Sequence, residues 1–300
     1  MQDFIQHFFN GISLGSIYAL IALGYTMVYG ILQLINFAHS DVYMVGAFAA
    51  YYTAAALGIS RSPGFTTLVI LLSAAMVVCA IVGVTIERFA YRPLRKAPKL
   101  NILITAIGVS LLLQYSGQVI FGADPKVFPQ VIEDAVLFEL VGAQVKLSDV
   151  TVIGVTVAMM FALNFLVFHT KFGKAMRAIS SNMTVASMLG VNTNKVIAFT
   201  FIVGSSLAGV GSVLVGMKYP KIEPLMGMMI GLKAFVAAVL GGIGSLPGAV
   251  LGGMLMGLSE EYVVAYLSST YRDALAFGIL IVILVFRPAG LLGKNVVEKV

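Results

Sequence analysis

Long apolar runs separated by short polar breaks dominate the chain. The runs fall at roughly 10–31, 41–57, 66–87, 101–121, 150–169, 196–216, 228–258 and 273–287. Most reach the ~20 residues that a helix rising about 1.5 Å per residue needs to cross a bilayer. In hydrocarbon every backbone polar group must be satisfied internally, so a spanning segment is a helix or belongs to a closed barrel. These runs are continuous rather than alternating, which excludes a barrel. The pattern predicts an all-α, polytopic transmembrane helical bundle of about eight or nine spans, with broken or re-entrant helices. One domain, residues 1–300, is expected.

Three breaks in this pattern carry candidate chemistry. In Leu34-Ile35-Asn36-Phe37-Ala38-His39-Ser40-Asp41, polar residues interrupt the apolar sequence between the first run and the second. Ser40 or Asp41 is placed to cap a helix from Val42 to Leu57 by accepting from its free N–H groups. The break reads as a short cytoplasmic turn or as a discontinuous helix beside a solute path. The second reading assigns Asn36, His39, Ser40 and Asp41 to a translocation pathway. The run 228–258 is broken by Gly241-Gly242-Ile243-Gly244-Ser245-Leu246-Pro247-Gly248. Ser245 suits an N-cap and Pro247 the first helical turn. The run either crosses twice or dips and returns, and Gly242, Gly244 and Ser245 either shape a hairpin or line the pathway. Lys233, Glu260 and Glu261 near its ends are expected to be interfacial or paired. The third break, 173–192, is basic and carries a short helix: Asn182 can cap it and Gly190 can end it in the left-handed conformation. Val185, Met188 and Leu189 recur at i, i+3 and i+4 and form a small apolar face, suited to a groove on a soluble partner or to the headgroup layer.

Charge orients the bundle. Arg88, Arg92, Arg95, Lys96 and Lys99 form one acid-free loop; Lys171, Lys174, Arg177 and Lys195 form another; the tail holds Arg287, Lys294 and Lys299 against Glu298. These are cytoplasmic by the positive-inside rule. The acid-rich loop 122–149, the loop 259–272 and the N-terminus are then expected outside.

Composition agrees. Of 300 residues 59% are hydrophobic and 11% charged, against ~45–50% and ~25% in ordinary globular domains. Soluble and nucleic-acid-binding classes are excluded, and the net charge of +6 sits in short loops rather than on one soluble face. A single cysteine, Cys79, excludes an internal disulfide and a cysteine-based metal site. His7, His39 and His169 lack ligand spacing. Glycine pairs four apart (Gly11/Gly15, Gly227/Gly231, Gly248/Gly252, Gly253/Gly257) predict close helix packing. Gly11-Ile12-Ser13-Leu14-Gly15 matches a hydrolase nucleophile pattern, but it opens a membrane helix and lacks the required strand. The Gly242–Gly248 stretch does not fit a dinucleotide fingerprint, and no Walker A sequence occurs. No catalytic residue, metal site or cofactor is expected.

Several of these segments together resemble the permease subunits of branched-chain amino-acid ABC importers, the shorter LivH-type of the binding-protein-dependent permease family. The resemblance rests on Asn36-Phe37-Ala38-His39, Asp41-Val42-Tyr43-Met44-Val45-Gly46-Ala47, Gly173-Lys174-Ala175-Met176-Arg177-Ala178 and Ala186-Ser187-Met188-Leu189-Gly190-Val191-Asn192. It continues through Gly231-Leu232-Lys233-Ala234-Phe235, Ala237-Ala238-Val239-Leu240-Gly241-Gly242-Ile243-Gly244-Ser245, Pro247-Gly248-Ala249 and Phe286-Arg287-Pro288-Ala289-Gly290-Leu291-Leu292-Gly293. It implies a multi-pass protein of the bacterial cytoplasmic (inner) membrane that imports leucine, isoleucine and valine. The implied partners are a second homologous permease, two ATP-binding subunits, a periplasmic or extracellular amino-acid-binding protein and membrane lipid, with no nucleic acid. It also implies that 173–192 couples to the ATPases through Lys174, Arg177, Asn182, Val185, Ala186, Met188, Leu189 and Gly190. Thr184-Val185-Ala186 stands where an acidic residue and two alanines are usual, so docking would rest on the apolar face and the basic flank. The same architecture carrying urea, amides or other amino acids is the main alternative. An ion-coupled transporter would rest on Asp41 with His39, and a membrane enzyme lacks a catalytic constellation.

Overall fold

The computed structural model describes residues 2–95, 97–140 and 142–293. Lys96 of the first basic loop and Lys294, Glu298 and Lys299 of the tail lie outside the described residues. The helices are α1 (Gln2–Leu32), α2 (His39–Ala56), α3 (Phe65–Ile86), α4 (Lys99–Phe121), α5 (Leu147–His169), α6 (Lys171–Ser181), α7 (Met183–Met188), α8 (Thr193–Lys218), α9 (Met226–Gly241), α10 (Leu246–Tyr266) and α11 (Arg272–Phe286). Among the described residues two small antiparallel pairings join the loops at one end. β1 (Lys126–Val127) meets β4 (Lys221–Ile222), and β2 (Val136–Leu140) meets β3 (Ala143–Lys146).

Among the described residues six stretches are long and apolar enough to cross a membrane: Gln2–Leu32, Phe65–Leu94, Lys99–Phe121, Leu147–His169, Thr193–Lys218 and Ser269–Phe286. With α2, α9 and α10 they form the polytopic helical bundle that the apolar runs predict. The run 228–258 is two helices, because Gly242 and Gly244 take φ of 106° and 95° and the Ser245 hydroxyl accepts from the Gly248 N–H at 3.2 Å. The 16 residues of α9 rise about 24 Å, less than the ~30 Å hydrocarbon core.

One helix is central. The apolar window of α1 is 94% buried, whereas that of Ser269–Phe286 is 6% buried. α1 packs against α10, α8, α9 and α5. Its closest neighbour, α10, lies along a seam of small residues. A Cβ on Gly15 would come within 2.9 Å of the Met254 Cα, one on Gly253 would collide with Ala19 and one on Gly257 with the backbone of Gly15. With backbones this close, many weak dispersion contacts add up. Gly257→Ala is therefore expected to cost about 1–3 kcal/mol by overpacking. The check is loss of monodisperse protein on heating in detergent, and a midpoint equal to wild type would contradict the seam's role.

The loops predicted to share the outer side share one end of the bundle. Gln2 Nε2 donates to the Gly142 carbonyl at 2.6 Å, and Gln6 bonds the Gln144 backbone in both directions. His7 Nδ1 and Asn10 Nδ2 reach Glu261 Oε1 at 3.0 and 3.2 Å. These contacts hold the polar turns of α1 that precede its apolar run.

One local expectation needs correction. Ser40 and Asp41 do not cap α2: the helix begins at His39 and has no side-chain cap. Both side chains have other partners. Ser40 Oγ donates to the Phe37 carbonyl at 2.9 Å, and the Asp41 carboxylate is held by α4.

Candidate translocation pathway

The first break turns the chain back into the bundle. α1 ends at Leu32, and Gln33 takes a left-handed φ of 54°. The chain then returns until His39 stands beside Gly24, where any Cβ would collide with the imidazole. Eight residues of helix separate Gly24 from Leu32, so α2 starts about 12 Å above that end of α1. Asn36 is fixed by the Tyr91 hydroxyl, which donates to Asn36 Oδ1 at 2.7 Å. His39 is buried and packs edge-on against Tyr25, ring centroids 4.6 Å apart. Its two ring nitrogens have no hydrogen-bond partner among the described residues.

Asp41 is fully buried. Gln114 Nε2 donates to Asp41 Oδ1 at 3.0 Å and Ser110 Oγ donates to Asp41 Oδ2. Gln114 Nε2 also donates to Ser110 Oγ at 3.2 Å. Both partners lie near the middle of α4, so the start of α2 is deep in the bundle rather than at its surface. On the other side Gly227 and Gly231 of α9 press against Ser40, where a Cβ on either would collide with it. These two glycines let α9 approach the start of α2.

A cavity of about 200 Å³ opens there, lined by Tyr25, Phe37, Ser40, Ile107, Ser110, Leu111, Gln114, Met228, Leu232 and Phe235. Of the residues assigned to a pathway from sequence, Ser40 lines it and Asp41 bonds two liners. Asn36 and His39 are packed beside it. Gly242, Gly244 and Ser245 lie elsewhere: Leu291 and Leu292 N–H donate to the carbonyls of Leu240 and Gly241, both at 2.9 Å, so the chain after α11 straps the second break. Sequence reasoning misses Ser110 and Gln114. Two polar residues at i, i+4 within an apolar helix are the available signal.

The 173–192 segment is α6 and α7. Asn182 Oδ1 accepts from the Val185 N–H at 3.0 Å and Gly190 has φ 85°. Met188 and Leu189 are each 79% exposed and Val185 is half exposed, while Ala186 is buried and anchors the helix. Lys174 is exposed. Arg177 donates to the Val167 carbonyl at the end of α5, with its guanidinium 5.3 Å from the Phe168 ring centroid. Arg177 thus ties α6 to α5.

Towards the outer end a buried charge network joins four helices. Lys233 Nζ lies 3.1 Å from Glu260 Oε1 and 2.7 Å from Asp273 Oδ1. Arg272 Nε is 3.0 Å from Glu260 Oε1, and the Tyr18 hydroxyl donates to Glu260 Oε2 at 2.8 Å. Lys233 and Glu260 are paired, as the cost of isolated charge in lipid requires; Glu261 is held by His7 and Asn10.

A multi-pass helical bundle with a polar-floored cavity where a helix begins inside the bundle is an arrangement suited to passing a solute. The family described as "Branched-chain amino acid transport system / permease component" matches residues 7–284, and the chain belongs to that family. It is 43% identical to the high-affinity branched-chain amino acid transport system permease protein LivH of Escherichia coli K12, over 99% of this chain and 98% of the relative. It is 41% identical to BraD, a protein of the same description from Pseudomonas aeruginosa, over 100% and 99%. A probable branched-chain amino acid permease LivH of Methanocaldococcus jannaschii is 30% identical over 92% and 88%. The chain is a permease component of a transport system, a multi-pass protein of the inner membrane and not itself an enzyme.

Proposed function

We propose that this chain is the permease subunit of an ATP-driven importer for branched-chain, hydrophobic amino acids such as leucine, isoleucine and valine. It forms the translocation pathway with a second, homologous permease. Two separate ATP-binding subunits drive it, and an external amino-acid-binding protein delivers solute. The full-length likeness to relatives named for this transport carries the reading. The chain lacks a phosphate-cradling loop, so its energy comes from a partner. α7 suits the contact: a short, capped helix with exposed Val185, Met188 and Leu189 fits a groove in a soluble subunit. Closure of the ATPases on ATP moves α6 and α7, and Arg177 transmits that motion to α5. The cavity rim, Ile107, Leu111 and Met228, is exposed, and a second permease seated there closes it into a path.

Affinity purification from native membranes tests this reading. Two ATP-binding subunits, a related permease and an amino-acid receptor are expected together, with leucine rather than urea competing for uptake. Recovery of the chain without any ATP-binding subunit would contradict it.

A further inference from the structure

The Asp41 carboxylate is buried, and the other strongly buried acids among the described residues differ from it in one respect. Glu87, Asp149 and Glu260 each have a basic partner: Arg92 and Arg95, Lys218, and Lys233 with Arg272. None of the ion pairs among the described residues includes Asp41. Its partners are the neutral donors Ser110, Gln114 and, at 3.5 Å, Ser40, and all three line the 200 Å³ cavity. A buried charge without a counter-ion is costly, and a cation that reaches it recovers some of that cost.

The cavity walls are apolar and aromatic: Phe37, Leu111, Leu232 and Phe235. Its volume is below the ~300–1,000 Å³ typical of drug-sized sites and suits a small metabolite. The polar floor donates its protons inward to Asp41, which leaves oxygen lone pairs of Ser110 and Gln114 as acceptors. A larger cavity of 540 Å³ at the outer end surrounds the Lys218–Asp149 pair. Its charges are matched internally, so it lacks this demand for a cation.

We propose that this cavity is a transient solute subsite inside the permease: the solute's α-ammonium sits over the Ser110–Gln114–Asp41 floor and its apolar side chain lies against Leu232 and Phe235. The subsite deepens the importer reading and rests on it. It makes the permease a second selectivity filter after the binding protein, with the length of the apolar side chain read by Leu232.

The test uses the complete importer in proteoliposomes, with saturating binding protein and ATP, and measures initial uptake of labelled leucine and valine. One methylene in an apolar pocket discriminates by about tenfold or more. Leu232→Phe, which shortens the cavity, is expected to lower the leucine-to-valine uptake ratio about fivefold, and Leu232→Ala to raise it. Asp41→Asn, in complexes that assemble normally, is expected to lower uptake of both at least tenfold, with Ser110→Ala in the same direction. An unchanged leucine-to-valine ratio in both Leu232 variants overturns the subsite while leaving the importer reading intact. Failure of the wild-type complex to take up either amino acid overturns both.

Discussion

A Leu189→Asp permease is expected to fold, insert and pair normally, yet to lose its ATPases and all ATP-driven uptake. Leu189 is 79% exposed, so a charge there costs the isolated chain little. In a complex the same side chain would enter an apolar groove, where an unpaired carboxylate is strongly disfavoured. A loss of about 3 kcal/mol corresponds to more than a hundredfold weaker binding. The measurement is the amount of ATP-binding subunit that co-purifies from equal amounts of folded permease. A control charge at Ser180, exposed on α6, should leave co-purification near wild type. Undiminished co-purification with Leu189→Asp would remove α7 from the interface.

The second large effect is on stability. Glu260→Ala is expected to destabilise the bundle by about 3–5 kcal/mol, because Lys233, Arg272 and Tyr18 lose their common acceptor in a buried site. Asp273 still pairs with Lys233, which places the cost toward the lower end. Removing both charges with Lys233→Met and Glu260→Met should recover part of the loss, since the charges then left without these partners, Arg272 and Asp273, are each partly exposed. Thermal unfolding in detergent distinguishes these outcomes. A double variant no more stable than Glu260→Ala would show that Glu260 acts through something other than its pairing with Lys233.

The spans are legible in the sequence because lipid imposes one rule on every residue of a crossing helix, and local composition alone satisfies it. The α9–α10 break is legible for a related reason: Gly242, Gly244, Ser245 and Pro247 act on their own backbone. Asn182 and Gly190 around α7 belong to the same local class. Tertiary contacts are not legible in this way. Asp41 reads as a cap because nothing near it in sequence offers a better partner, whereas its partners lie 69 and 73 residues away. Ser110 and Gln114 escape notice for the same reason. Tyr91, Arg272 and Tyr18 likewise acquire roles only when distant helices meet. Polar residues inside an apolar run mark where such contacts fall, but not which residue is met.

On the proposed function, this chain forms a conduit and borrows its motor. The direct measurement is leucine accumulation in proteoliposomes holding the purified permease pair, with and without the ATP-binding subunits. Uptake against a gradient is expected only when those subunits, ATP and the external binding protein are all present. Accumulation of leucine above the external concentration by the permeases alone would contradict it.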